Sequence, residues 1–222
     1  MSETIWSVMS ARHCKRAFLD RPVRRELLAE VLRAAADAPS SRNTQPWHVS
    51  VLAGASKDEL ARQLTAAFDR GQKPAADFLN NPHQLTGAYA ERARVCGAGV
   101  LASKGIERDD DSARHAHVRD NFSFYGAPVE MIFHLAGDAV PGSFLATGCF
   151  LQNLMLGLVA SGLGSCPQYS IAGYADIIRR HLGLAPERRI VCGLAIGYVD
   201  DAAPVNGFVP ERASLEEFVD WC

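Results

Sequence analysis

The feature that most constrains this chain of 222 residues is a stretch without charge: from Ala139 to Ala175 there is no Asp, Glu, Lys or Arg. Within it, Ser143 to Ser161 reads as one long helix, and Gly162-Leu163-Gly164 stops it. A membrane-spanning helix is more uniformly apolar than this run, which carries Ser143, Thr147, Gln152, Asn153 and Ser161 and is interrupted by Pro141 and Pro167. A helix that is apolar on all sides must be covered on all sides, so the run belongs in a core or at a subunit interface.

The rest of the chain reads as elements that could surround such a helix. Leu27, Leu28, Val31, Leu32 and Ala35 recur at helical spacing within Arg24 to Ala36, and Pro39 ends that helix. His48 to Leu52 reads as a strand. Ser56 and Glu59 form a capping-box pattern for a helix closed by Gly71. A mobile loop is expected over Lys73 to Pro82, then helices from about Gln84 to Ser103 and across Asp110 to Phe122. Pro128 to Leu135 reads as a strand and Arg189 to Ile196 as a buried one, continuous and apolar, with a short helix from about Tyr174 to Leu182 between them. Strands separated by helices argue for an α/β or α+β layered fold.

Composition narrows the function. A formal net charge of -2 leaves no overall basic field for nucleic acid. Six scattered cysteines, with no C-x-x-C pair, read as reduced thiols rather than a disulfide framework. Met1 to Trp6 shows no signal-peptide pattern, so the expected location is cytoplasmic, with no membrane partner. No dinucleotide fingerprint follows a strand, and neither a phosphate-binding loop nor a nucleophile elbow is present. His115 and His117 stand two apart on an expected helix, hence on different faces, and no metal site is expected. What remains is chemistry carried by a cofactor.

Two segments supply the means to hold one. Arg12-His13-Cys14-Lys15-Arg16 places three cations and a histidine in five residues, and guanidinium groups grip phosphate bidentately. Pro39-Ser40-Ser41-Arg42-Asn43-Thr44-Gln45-Pro46-Trp47 is dense in hydroxyl and amide groups suited to a planar polar ring. Taken singly, the first also describes a solvated basic turn, and the second an ordinary loop whose Trp47 plugs a core.

Taken together the two segments resemble the opening of the FMN-dependent nitroreductases, nearest the nitrobenzoate-reductase-like branch. Asn121 to Val129, Gly162 to Gln168, Ile196-Gly197-Tyr198, Ala203-Pro204-Val205-Asn206 and Arg212 to Val219 extend the likeness along nearly the whole chain. The resemblance implies a single domain over residues 1–222 with an α+β fold. This would be a three-layer sandwich, its mainly antiparallel central sheet flanked by helices. It further implies a homodimer whose C-terminal arm, about 200–222, lies on the partner subunit.

FMN would be bound at the dimer interface, with NADH or NADPH as co-substrate. By analogy Arg12, His13 and Cys14 face the FMN phosphate, and Arg212 reaches it from the arm. Arg16 faces the N1/C2=O edge, where a cation stabilises the negative charge that the ring gains with a hydride. Pro39, Ser40, Ser41 and Asn43 would come from the partner, and Pro167 and Gln168 would lie against the ring. Phe122, Phe124 and Tyr125 are candidate walls of a substrate pocket for planar aromatics. The family often has serine where Cys14 stands, and a further arginine near the position of Val209.

The implied enzyme reduces small electron-poor aromatics, nitroaromatics or quinones, by a ping-pong mechanism. A flavin-dependent reductive dehalogenase or dehydrogenase is the alternative reading on the same fold. A non-enzymatic anion-binding interaction domain is a more distant one.

Overall fold

The computed structural model describes residues 4–82 and 84–222; the reading of the N-terminus thus falls partly outside the described residues. In chain order the main elements are α1 (Ile5–Ala11), α2 (Arg25–Ala35), β1 (His48–Ala53), α3 (Gly54–Asp69), α4 (Gly87–Ser103) and α5 (Asp111–Arg119). They are followed by β2 (Val129–Leu135), α6 (Pro141–Ala160), β3 (Gly164–Gln168), α7 (Ala175–Leu182) and β4 (Arg189–Gly197). The four strands form one sheet in the order β1-β2-β4-β3, with antiparallel neighbours throughout.

The sheet is buried on both faces, which makes the fold α+β in three layers. β2 shows why. Val129, Met131, Phe133 and Leu135 enter one core with α2 and α6, while Ile132 enters the other with α3 and α7. Successive side chains of a strand point to opposite faces, so a strand covered twice must be apolar at nearly every position. All seven residues of β2 are indeed buried. The single charged one is Glu130, fully buried, with neither carboxylate oxygen hydrogen-bonded. Burial pushes its carboxyl well above the usual carboxylate range, so it is held neutral.

The long uncharged helix is α6, and its covering is one-sided within a single chain. Ala146, Thr147, Phe150, Leu151, Leu154, Met155 and Leu158 are buried. On the other side Leu145 is 74% exposed. α2 seats against α6 where Gly157 leaves room: a Cβ there would lie 2.8 Å from Val31 Cγ1. Trp47 also packs here, stacked on Phe150 at 4.9 Å, which makes it the core plug.

Other expectations shift for local reasons. The helix expected from Ser56 begins earlier, at Gly54, and Ser56 Oγ lies 3.2 Å from His181 Nε2 instead of closing a capping box. The helix expected to run to Phe122 ends at Arg119, because Phe124 and Tyr125 take positive φ values of 56° and 53° in the turn that follows. The loop after Lys73 is pinned in its first half. Ala75 N–H donates to Gly173 O at 2.7 Å, and Asp77 accepts from Arg179 at 2.7 Å and from the Ile190 N–H at 2.8 Å. The final helix is one 3-10 turn, Leu215–Glu217, closed by the expected Ser214–Glu217 capping box.

Candidate functional site

The basic turn follows α1 and is built into the sheet's edge. Cys14 bridges Ser165 of β3 in parallel, Lys15 N–H donates to Ser165 O at 3.0 Å, and Phe18 bridges Val199. β3 holds Pro167, which an edge strand tolerates because it needs no N–H on its outer side. Sequence reasoning missed this strand. Its five residues, Gly164 to Gln168, show no alternation and begin at the Gly162-Leu163-Gly164 helix stop.

Asn206 holds the turn in shape, and no role had been assigned to it. Its side chain is only 3% exposed. Asn206 Oδ1 accepts from the Arg16 N–H at 2.7 Å, and Nδ2 donates to the carbonyls of Ala17 at 2.7 Å and Asp200 at 2.9 Å. Its backbone carbonyl accepts from Lys15 Nζ at 3.0 Å and lies 3.0 Å from His13 Nε2. The signal in the sequence was Ala203-Pro204-Val205-Asn206, a turn residue placed after a proline.

The turn is electropositive. Among the described residues, no carboxylate lies within ion-pairing distance of Arg12, Lys15 or Arg16. Near Arg16, the hydroxyl of Tyr125 donates to Asn121 Oδ1 at 2.6 Å. Burial pushes the Tyr125 phenol well above its ordinary range. Cys14 moves the other way. The neighbouring thiol of Cys166, helped by Arg16 and Arg12, outweighs burial and lowers the Cys14 thiol to about 6.

Around the turn lie some of the residues expected with it. Gln168 is 1% exposed and donates through Nε2 to Asn121 O at 2.6 Å, while its Oε1 is buried without a partner. Pro167 is half-buried beside it. Phe122 and Phe124, by contrast, are 3% and 0% exposed. Phe122 stacks on Phe68 and meets Tyr174 edge-on, so the expectation that these two rings wall an open pocket is corrected: they fill the second core. An open cavity of about 640 Å³ lies at Tyr169, and Phe78, Leu79, Phe144 and Val191 also help to line it.

The hydroxyl-rich loop lies elsewhere. It leads into His48, which pairs with His134 and through it with Ile190; the basic turn sits at Ser165, which pairs with Ile196. The two segments thus occupy opposite edges and opposite ends of the sheet, about 14 Å apart across the strands and about 20 Å along them. Within the loop Arg42, Asn43 and Gln45 have φ values of 52°, 56° and 45°. The loop's side-chain hydrogen bonds are internal, Gln45 N–H to Ser40 Oγ at 3.0 Å and Gln45 Nε2 to Asn43 O at 3.3 Å. Pro39, Ser41 and Asn43 are exposed, and Ser40 is half-buried.

Arg212 is exposed on the C-terminal segment. That segment follows α4 of its own chain: the Phe208 ring fills the space over Gly99, and Glu217 pairs with Arg92 at 2.5 Å. Phe218 and Trp221 beyond it are 66% and 87% exposed.

This arrangement has close relatives. The chain is 38% identical to a 4-nitrobenzoate reductase of Pseudomonas putida, over 96% of this chain and 92% of that one. Its fold superposes with a TM-score of 0.97 on the FMN and NADPH-dependent nitroreductase NfnB from sphigopyxis sp. strain HMH, 36% identical and covering 99% of both chains. With the FMN-dependent nitroreductase NfnB from Mycobacterium smegmatis, solved in complex with NADPH, the TM-score is 0.92 at 34% identity, covering 97% of this chain and 96% of the other. The family model described as the nitroreductase family matches residues 9–198. With that match spanning most of its length, the chain belongs to the nitroreductase family.

Proposed function

We propose that this protein is an FMN-dependent oxidoreductase that takes hydride from NADH or NADPH and reduces small, flat, electron-poor aromatics such as nitroaromatics and quinones. The observation that carries the reading is the Arg12–Arg16 turn, three cations without a carboxylate partner, locked in place by a buried asparagine. Such a site is made for a compact anion, and a terminal phosphate matches it. The ring-side residues fit too: Gln168 Oε1 is a buried acceptor without a donor, which a ring N–H would satisfy. The related enzymes' dependence on FMN and NADPH, and the reduction of nitrobenzoate, point the same way.

FMN when bound supplies the two-electron chemistry; the chain supplies the binding and the electrostatics. Arg12, His13 and Cys14 would hold the phosphate, with Arg212 added from the C-terminal segment. Arg16, whose N–H is held by Asn206, would stand at the N1/C2=O edge and favour negative charge there. Pro167 and Gln168 would cover one side of the ring. Planar substrates would enter through the aromatic cavity beside Tyr169, whose Phe78 and Phe144 walls suit flat rings.

The same reading makes the protein a cytoplasmic homodimer, one domain over residues 1–222. Pro39, Ser40, Ser41 and Asn43 cannot reach the basic turn of their own chain across a diagonal of the sheet, so they would serve the site of a second copy. An apolar outer surface supports this. Ile5, Trp6 and Met9 of α1 are 57%, 73% and 48% exposed, and α1 packs beside α6 with its exposed Leu145. Phe218 and Trp221 would lie on that second copy as well.

The test is direct. The protein should purify yellow and release FMN, not FAD, on denaturation. Mixing with NADH or NADPH alone should bleach the visible absorbance, and steady-state double-reciprocal lines with a nitroarene should be parallel. Colourless protein, or released FAD, would refute the assignment. Faster turnover of a halogenated phenol than of any nitroarene would move it to reductive dehalogenation.

A further inference from the structure

We propose that Cys14 and Cys166 form a peroxide-sensitive thiol pair that closes into a disulfide, locking the basic turn to β3 when the anion site is empty. The geometry is already close to that of the product. Cys14 bridges Ser165, and Lys15 N–H donates to Ser165 O at 3.0 Å, so the two backbones run side by side at this point. At the usual strand spacing and rise, the Cα of Cys14 lies about 6 Å from the Cα of Cys166, the next residue along. A disulfide needs a Cα separation of roughly 4.4–6.8 Å. The two side chains also meet in one core, Cys166 buried within it and Cys14 packed against it.

The two sulfurs are made unequal by their surroundings. Cys14 is half-buried with Arg12 and Arg16 beside it, which favours its thiolate. Cys166 is 2% exposed, and the neighbouring Cys14 together with burial pushes its thiol well above the ordinary range. Cys14 is therefore the attacking sulfur and Cys166 the resolving one. The thiolate of Cys14 displaces hydroxide from hydrogen peroxide, which leaves as water on taking a proton, and Cys14 becomes a sulfenic acid. The sulfur of Cys166 then attacks that of Cys14, the S–O bond breaks, and the departing hydroxide leaves as a second water with the Cys166 proton. Two thiols are oxidised to one disulfide, and one peroxide is reduced to two waters. Of the other cysteines, Cys192 lies in the opposite core, and Cys222 is exposed at the tail.

The link to function rests on the reading of this turn as the phosphate site. Bound FMN would cover Cys14, so oxidation should report an empty site. The experiment treats FMN-loaded and FMN-free protein with hydrogen peroxide, followed by thiol blocking and non-reducing peptide mapping. The FMN-free protein should yield one crosslinked peptide pair joining Cys14 to Cys166, with the loss of two hydrogens, reversed by dithiothreitol. In Cys166→Ala, Cys14 should instead gain two oxygens as the sulfinic acid, an outcome that a merely structural thiol would not show. FMN should slow crosslinking at least tenfold. Absence of the crosslink in FMN-free protein, or a crosslink joining a different pair, overturns the proposal. A crosslink that forms equally fast with and without FMN leaves the thiol pair standing and removes the phosphate reading of the turn.

Discussion

Arg16 and Asn43 sit in two loops of similar polarity, yet the chain treats them in opposite ways. The turn around Arg16 is joined to β3 by backbone bonds and clamped by a buried asparagine. The loop around Asn43 holds three residues at positive φ, and its side-chain bonds close only on itself. A non-glycine residue in the left-handed region costs about 1 kcal/mol or more, and such strain persists where the surroundings impose it. The difference teaches which half of the site a single chain completes. The turn is finished on folding; the loop is shaped in advance for something the chain does not itself provide.

The largest expected effect comes from separating the halves. Arg12→Ala damages the turn of its own chain, and Asn43→Ala damages the loop offered to the other copy. Co-expressed, the two variants should form mixed dimers with one intact site and one doubly damaged site. FMN content should then return from near zero to about half of one site per subunit pair. If mixing restores nothing, the loop serves its own chain, and the contrast between the two regions fails.

Asn206→Ala comes next. It removes three side-chain hydrogen bonds worth about 0.5–1.5 kcal/mol each, so urea denaturation should show a loss of about 2–4 kcal/mol with weakened FMN binding. A loss below 0.5 kcal/mol would mean that the turn does not depend on its clamp. Within the turn, Arg12→Ala should cost FMN affinity by about 1.5–3 kcal/mol, as for a charge-assisted contact. Arg16→Ala should mainly slow bleaching by NAD(P)H; identical defects in stopped-flow and binding assays would end that division of roles. The smallest effect is expected in the loop, where Gln45→Gly relieves a φ of 45° and should raise stability by less than about 1 kcal/mol.

Cys14 adds a pH dependence to the finished half. Its thiol is depressed to about 6 in the folded chain, below its ordinary value of 9.0. A depressed folded value adds stability above the unfolded value, and this is lost as pH falls through the folded one. Alkylation of Cys14 in FMN-free protein should accordingly rise to a plateau with a midpoint near pH 6. A midpoint near 9 would show that the arginines and Cys166 do not act on it.

What the sequence disclosed follows the range of the forces involved. The uncharged run, read as a helix over Ser143 to Ser161, is a helix at Pro141–Ala160, because apolar periodicity and proline act locally. Strand β1, expected at His48 to Leu52, ends one residue later. β3 was hidden since its pairing with β4 and with Cys14 comes from distant segments, not from its own five residues. Phe122 and Phe124 were misread for a related reason: composition cannot tell a ring that lines a cavity from one that fills a core. Asn206 stood inside a recognised motif, yet its task is visible only once residues 13 to 17 are folded against it.

That last contact has a consequence for the order in which the molecule is made. Asn206 is 190 positions beyond Arg16, whose N–H it holds. During synthesis the basic turn is among the first segments to appear and among the last to take its final shape. A nascent chain that has not yet reached Asn206 carries its cations on a loose strand, whatever else has folded. Cofactor capture thus waits for the late part of the chain, and a truncation before Asn206 should leave a folded sheet with no grip on its anion.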